Sequence, residues 1–185
     1  NKAGKKDEAD AYKKKLPLYV AGGVMEGGRK LEHMVRYSAC TVVDIDDSPI
    51  PVPELLLRAA ELPYVKAGHV SPSGSGVKLF VLVDSGLKDH YPAFEVVRRR
   101  VETDLPGVKV DISGKDPNRG CFAGHDPNAF YKEESEAIEI PVADPEHTLP
   151  DIPPEACAPA RGFRTTLTSM NKTILLLPVT VIPIL

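Results

Sequence analysis

Two aspartates separated by one residue, Asp44 and Asp46, close a β-branched, apolar run from Cys40. Alternate residues of a strand point to one face, so the spacing predicts that these carboxylates project together while Ile45 faces the other way. Two adjacent carboxylates repel each other, and a divalent cation bound by hard oxygen ligands relieves that repulsion. Asp111, after Val108-Lys109-Val110, is the candidate third ligand. Three such acids on a sheet can hold Mg²⁺ or Mn²⁺, and a two-metal site, with ions about 3.5–4 Å apart, activates an attacking oxygen and stabilises a leaving phosphate. The plain alternative is that Asp44, Asp46 and Asp47 end a strand before a turn.

A second cluster is suited to phosphate. Ser73-Gly74-Ser75-Gly76-Val77-Lys78 stands at the start of another apolar run. Gly74 and Gly76 let the backbone approach an anion closely, Ser73 offers a hydroxyl, and Lys78 offers a cation. The same residues also suit an ordinary hairpin turn. The spacing is not that of a nucleotide-binding P-loop, which is followed by a helix. After Asp111 come Lys115 and Arg119, two more candidate cations for a triphosphate, in what is otherwise a polar loop. His125 and Asp126 are a weaker catalytic pair, since Asp126-Pro127 also marks a turn.

The elements that must position these residues follow in regular order. Residues 40–46 read as a strand, 54–62 as a short amphipathic helix introduced by Pro51 and Pro53, and 65–70 as a second strand. Residues 77–83 read as a third strand, 90–104 as a second helix and 108–112 as a fourth strand, with a possible fifth at 120–123. Arg98, Arg99 and Arg100 fall on the solvated face of that second helix. The order β-α-β-β-α-β predicts an α+β fold with a ferredoxin-like (RRM-like) core, an antiparallel sheet carrying its helices on one face. Residues 1–39 are expected to add a flanking unit with a helical stretch from Arg29 to Val35.

The 185 residues suffice for one domain with extensions, here placed at 15–131. Residues 1–14 read as a basic, flexible arm. Residues 132–172 are acidic and proline-rich and read as a linker or a wrap against the domain. Residues 173–185 form an apolar tail, too short and too proline-interrupted for a membrane helix, to which no role is assigned. The net charge of -3 neither implies nor excludes a nucleic-acid partner. Cys40, Cys121 and Cys157 are scattered, which argues against zinc and against a disulfide framework and suits a reducing cytoplasm. With no initiator Met and no signal peptide, the sequence leaves open that the chain is a fragment of something longer.

In succession these segments resemble the archaeo-eukaryotic primase superfamily, including bacterial primase-polymerase domains. That superfamily shows hydrophobic-Asp-hydrophobic-Asp, here Val43-Asp44-Ile45-Asp46, then Ser-Gly-x-Gly-hydrophobic-His, here Ser73-Gly74-Ser75-Gly76-Val77 with Lys78 in the histidine position. Hydrophobic-Asp follows at Val110-Asp111, and then an arginine, Arg119. Within the superfamily the chain looks like the VirE N-terminal branch of primase-like domains. That likeness rests on Lys15-Leu16-Pro17, Arg29, Tyr37-Ser38, the Asp44–Asp46 and Ser71–Lys78 segments, Asn118-Arg119-Gly120-Cys121-Phe122 and Asp126-Pro127.

The resemblance spans residues 15–131. It implies a nucleotidyltransferase with Asp44, Asp46 and Asp111 as metal-binding and catalytic residues, and with Ser73, Gly74, Gly76, Lys78, Lys115 and Arg119 at the nucleotide phosphates. It also implies nucleoside triphosphates and a single-stranded DNA or RNA template as partners, and a fused or separate helicase-like module, in replication or mobile elements of Bacteroidetes. Lys78 supplies charge without the donor-acceptor behaviour of imidazole. A catalytically inactive nucleotide- or nucleic-acid-binding module and a metal-dependent phosphoesterase are the alternatives.

Overall fold

A computed structural model describes residues 2–141 and 180–182. The fold is α+β. Its main sheet is built from β4 (Cys40–Asp46), β6 (Gly76–Asp84), β5 (Val65–Val70) and β8 (Phe130–Tyr131), antiparallel in that order. A short β9 (Ile138–Glu139) runs parallel to the end of β6, pairing with Val83 and Asp84. Residues 132–141 thus lie along the domain, tied also by Lys132 N–H to Lys66 O and Glu136 N–H to Pro63 O. The remainder of the expected linker, 142–172, lies outside the described residues.

Alternation along the strands sorts the side chains. Val43 and Ile45 on β4, Val77, Leu79, Val81 and Val83 on β6, and Val65 on β5 are buried in one cluster with the two helices that follow β4 and β6. Helix α2 (Val52–Glu61) starts with proline in its first turn, where no intrahelical donor is lost, and buries Leu55, Leu56 and Ala59. Helix α3 (His90–Asp104) buries Ala93, Phe94, Val97 and Val101, a stripe at three- and four-residue spacing. Each fully buried large side chain here contributes about 1.5–3 kcal/mol. The arginines of α3 face outward as expected: Arg98 pairs with Glu95 and Glu102, and Arg100 with Asp104, all within one helical turn.

The opposite face of the sheet is covered by the flanking unit. Strand β1 (Leu18–Val20) pairs antiparallel with β7 (Gly120–Phe122). Tyr19, Ala21 and Cys121 pack there on Cys40, Val42, Ala67 and Phe80. Residues 180–182 of the apolar tail form β10, which pairs with the other edge of β1. A separate hairpin joins β2 (Gly23–Met25) to β3 (Met34–Tyr37).

Two expectations are corrected, and two elements are located. The Arg29–Val35 stretch is not a helix: only Leu31–His33 makes a 3-10 turn, and Met34 then pairs with Met25 in the hairpin. Residues 108–112 are not a strand. Val108 and Val110 are buried, but a single ladder bond, Asp111 N–H to Asp44 O, ties the segment to β4 before a 3-10 turn at Ile112–Lys115. The segment still lies beside β4, so the spatial sequence segment-β4-β6-β5 retains the split βαβ plan. The strand at 120–123 exists but belongs to the covering sheet. Within the arm read over 1–14, Lys2–Lys13 form helix α1, rich in the alanine and lysine that favour helix.

Candidate metal and phosphate site

The covered face of the main sheet carries a polar row at the end of β4. The ladder sets Asp44 directly across from Lys78, and Lys78 directly across from His69; one step on, Asp46 faces Gly76. Asp44, Asp46 and, from the segment alongside, Asp111 each direct a carboxylate oxygen to a common point, these atoms all lying within 4.8 Å of one another. The three expected acids are therefore together.

Their environments differ. Asp44 is buried, and one oxygen, Oδ2, accepts a hydrogen bond from the Lys78 ammonium. Its other oxygen, Oδ1, is buried with no hydrogen-bond partner. An unpartnered buried carboxylate oxygen costs far more than an exposed one. Asp46 is exposed at the strand end, yet partial desolvation and then the nearby Asp44 raise its pKa above the ordinary carboxylate value. Asp111 is held below the ordinary value, because Ser113 donates both its hydroxyl (2.6 Å) and its backbone N–H (2.9 Å) to the carboxylate; Arg119 and Lys78 act in the same direction. A metal-free site thus opposes ionisation at Asp46 while securing it at Asp111, a combination that a hard cation would relieve.

The Ser71–Gly76 turn joins β5 to β6 beside this row. Ser71 N–H bonds Gly76 O, and Ser71, Ser73 and Ser75 link their hydroxyls in a chain at 2.8 and 2.9 Å. Gly74 has a φ of 75°, which a side chain rarely adopts. Gly76 has a different requirement, for its β-carbon would lie inside the contact radius of Ile45 O and Asp46 Oδ1. The turn is a hairpin turn, and it leaves Ser73, Gly74 and Ser75 exposed.

Other expected residues divide. Arg119 lies close enough to Asp111 to act on its charge, and its Nε is buried without a hydrogen-bond partner. Lys115 instead reaches over the ring of Tyr91, 6.0 Å from its centroid. Asp126 accepts from the backbone N–H groups of Val70 (2.7 Å) and Asn128 (2.9 Å), which makes it the staple of a turn.

Two neighbours, His69 and Tyr19, escaped sequence reasoning. His69 stacks on Phe80, its Nδ1 lies 2.7 Å from Val70 O, and its Nε2 lies 2.7 Å from the Tyr19 hydroxyl. A donating Nδ1–H and an accepting Nε2 satisfy both contacts with neutral imidazole, and burial pushes the histidine pKa down accordingly. Counting back from the Ser71–Gly76 bond pairs His69 with Lys78, so the hairpin itself held the signal.

Fold and site together define an α+β domain with three convergent carboxylates at the end of its first core strand. The chain belongs to the BT4734-like, N-terminal domain family, whose model matches residues 11–131. No curated protein and no solved structure matches it.

Proposed function

We propose that the domain is a primase-polymerase-like nucleotidyltransferase that binds divalent metal, nucleoside triphosphate and single-stranded nucleic acid. The observation that carries this reading is the convergence of Asp44, Asp46 and Asp111 within 4.8 Å, with Asp44 Oδ1 buried and unpartnered. An all-carboxylate donor set suits Mg²⁺ or Mn²⁺. When bound, such ions supply charge stabilisation and lower the pKa of an attacking hydroxyl. In this reading the three carboxylates hold the metal ions. Lys78 and Arg119 offset the negative charge of the phosphates, and exposed Ser73 and Ser75 offer hydroxyls at the mouth of the site. A replicative role in a bacterial or mobile element, in the cytoplasm and with a helicase-like module, is supported by the primase-like motifs alone.

One observation favours a second reading. The Lys78 ammonium already neutralises Asp44, which suits a module that binds nucleotide or nucleic acid without synthesis. Mn²⁺ titration and incorporation of labelled nucleotides on single-stranded DNA and RNA templates separate the two, with an Asp44→Asn/Asp46→Asn variant as control. Metal-dependent extension by the natural sequence alone supports the polymerase reading. Binding without extension supports the inactive module, and cleavage without extension a phosphoesterase. Equal extension by both proteins removes the catalytic assignment.

A further inference from the structure

The flanking unit and the loop before β7 border an open cleft of about 410 Å³, lined by Arg29, Lys30, Asp116, Asn118, Arg119 and Gly120. Three cations stand here against one carboxylate. Two of them, Arg29 and Arg119, are set against neighbouring backbone, while Lys30 stands exposed. The Arg29 guanidinium lies directly on Gly120, where any β-carbon would collide with its Nη1. Asn118 Nδ2 donates to Arg29 O at 2.8 Å, fixing the two halves of the cleft to each other. Gly22 is pressed against Pro117 O in the same way, so the flanking unit and residues 116–120 meet backbone to backbone. The Arg119 Nε is buried without a partner. Opposing charge is weak: Lys30 reaches only the exposed Glu32, at 3.7 Å, and one Asp116 oxygen accepts from the Tyr91 hydroxyl.

We propose that this cleft binds the triphosphate tail of a nucleotide through Arg29, Lys30, Asn118 and Arg119, so that the flanking unit completes the nucleotide site. The proposal deepens the nucleotidyltransferase reading and rests on it for the identity of the ligand. An anion with several charges needs several converging donors, and guanidinium groups meet phosphate oxygens in pairs. Its volume falls in the range of small-ligand sites, commonly about 300–1,000 Å³. A polynucleotide backbone would call for a basic track extending along the surface. Arg119 lines the cleft and also bears on the charge of Asp111, which couples the cleft to the carboxylate triad.

Isothermal titration of the full chain with inorganic tripolyphosphate, with ATP and with a single-stranded oligonucleotide, all without divalent ions, tests this. Tripolyphosphate and ATP are expected to bind comparably. Arg29→Gln is expected to weaken both at least about tenfold, the loss of one charge-assisted contact. Lys30→Gln, at an exposed position that carries no fold contact, is expected to weaken them about three- to fivefold. Mn²⁺ binding should be unchanged in both variants, and Asp111→Asn should not weaken tripolyphosphate. Tripolyphosphate failing to bind, or binding equally well to Arg29→Gln and Lys30→Gln, overturns the proposal. So does an oligonucleotide that displaces tripolyphosphate and loses as much affinity in both variants, which would make the cleft a strand path. If these losses occur while Mn²⁺ binding is absent, the phosphate cleft stands and the metal-dependent reading fails. If Mn²⁺ binds and supports extension while the cleft variants behave as the natural sequence, the cleft assignment fails alone.

Discussion

Lys78 stands directly across the β4–β6 ladder from Asp44, and its ammonium donates to one Asp44 oxygen while the other is left without a partner. The pair is nearly sealed, with side-chain exposures of 11% and 8%, so neither charge has water to fall back on. One oxygen of the acid is satisfied from within the sheet, and a carboxylate oxygen of Asp44 lies within 4.8 Å of those of Asp46 and Asp111.

Replacing Lys78 by methionine keeps the volume and leaves Asp44 a buried, uncompensated charge. Breaking a buried pair in this way costs about 3–5 kcal/mol. Thermal denaturation in chelator should show a large loss for Lys78→Met. Addition of Mn²⁺ should then raise the Tm of the variant more than that of the natural sequence, because the ion takes over the neutralising role. An equal rise in both would mean that Asp44 is not a ligand.

Gly76 and Gly74 make a matched pair of probes. Gly76→Ala forces Ile45 O and Asp46 away from β6, whereas Gly74→Ala meets open space and suffers only from its left-handed φ. Each should lose about 1–2 kcal/mol of stability. Only Gly76→Ala should also weaken Mn²⁺ binding in a titration, since only it displaces a carboxylate of the triad.

Acid should destabilise the domain through His90. Burial lowers its pKa from 6.5 to about 4, while its ring meets Tyr37 edge-on and Nδ1 lies 2.8 Å from the Tyr37 hydroxyl. The unfolded chain takes up the proton near the ordinary value and the folded chain only near 4. Between those values the unfolded state binds more protons, so stability falls as pH falls, by up to ~3 kcal/mol. His69, also pushed down by burial, acts in the same direction. Urea denaturation at pH 7, 5.5 and 4 should show a shallower decline for His90→Gln than for the natural sequence. Parallel declines would contradict the assignment.

Strands β4, β5 and β6 and helices α2 and α3 were legible because their apolar periodicity reports burial, and burial is what forms them. Periodicity also misled, and for the same reason. Val108 and Val110 alternate with Lys109 as in a strand and are buried as in a strand, yet the hydrogen-bonding ladder stops at one bond. Hydropathy carries no information about whether backbone groups find partners. Among site residues, the pairing of Asp44 with Asp46 followed from the two-residue repeat alone, and Asp111 from the segment order. His69 follows from the hairpin once the β5–β6 register is counted, whereas the contribution of Arg29 depends on the approach of the flanking unit to residues 116–120, which no local pattern encodes. Lys115 has the right charge and lies near Asp111 in sequence, but the 3-10 turn after Asp111 carries it to Tyr91.

The main sheet has no solvent face: α2 and α3 lie on one side, and β1 with β7 covers the other. The unit of β4, α2, β5, β6 and α3 with the segment after it is consequently not the smallest portion of this chain that can be transplanted or inherited as a folded whole. A piece beginning at Cys40 would bare Val42, Ala67 and Phe80, a cohesive apolar patch that invites aggregation. Any recombination that preserves this domain must carry the segment from Leu18 with it, and the cations at positions 29 and 30 travel along.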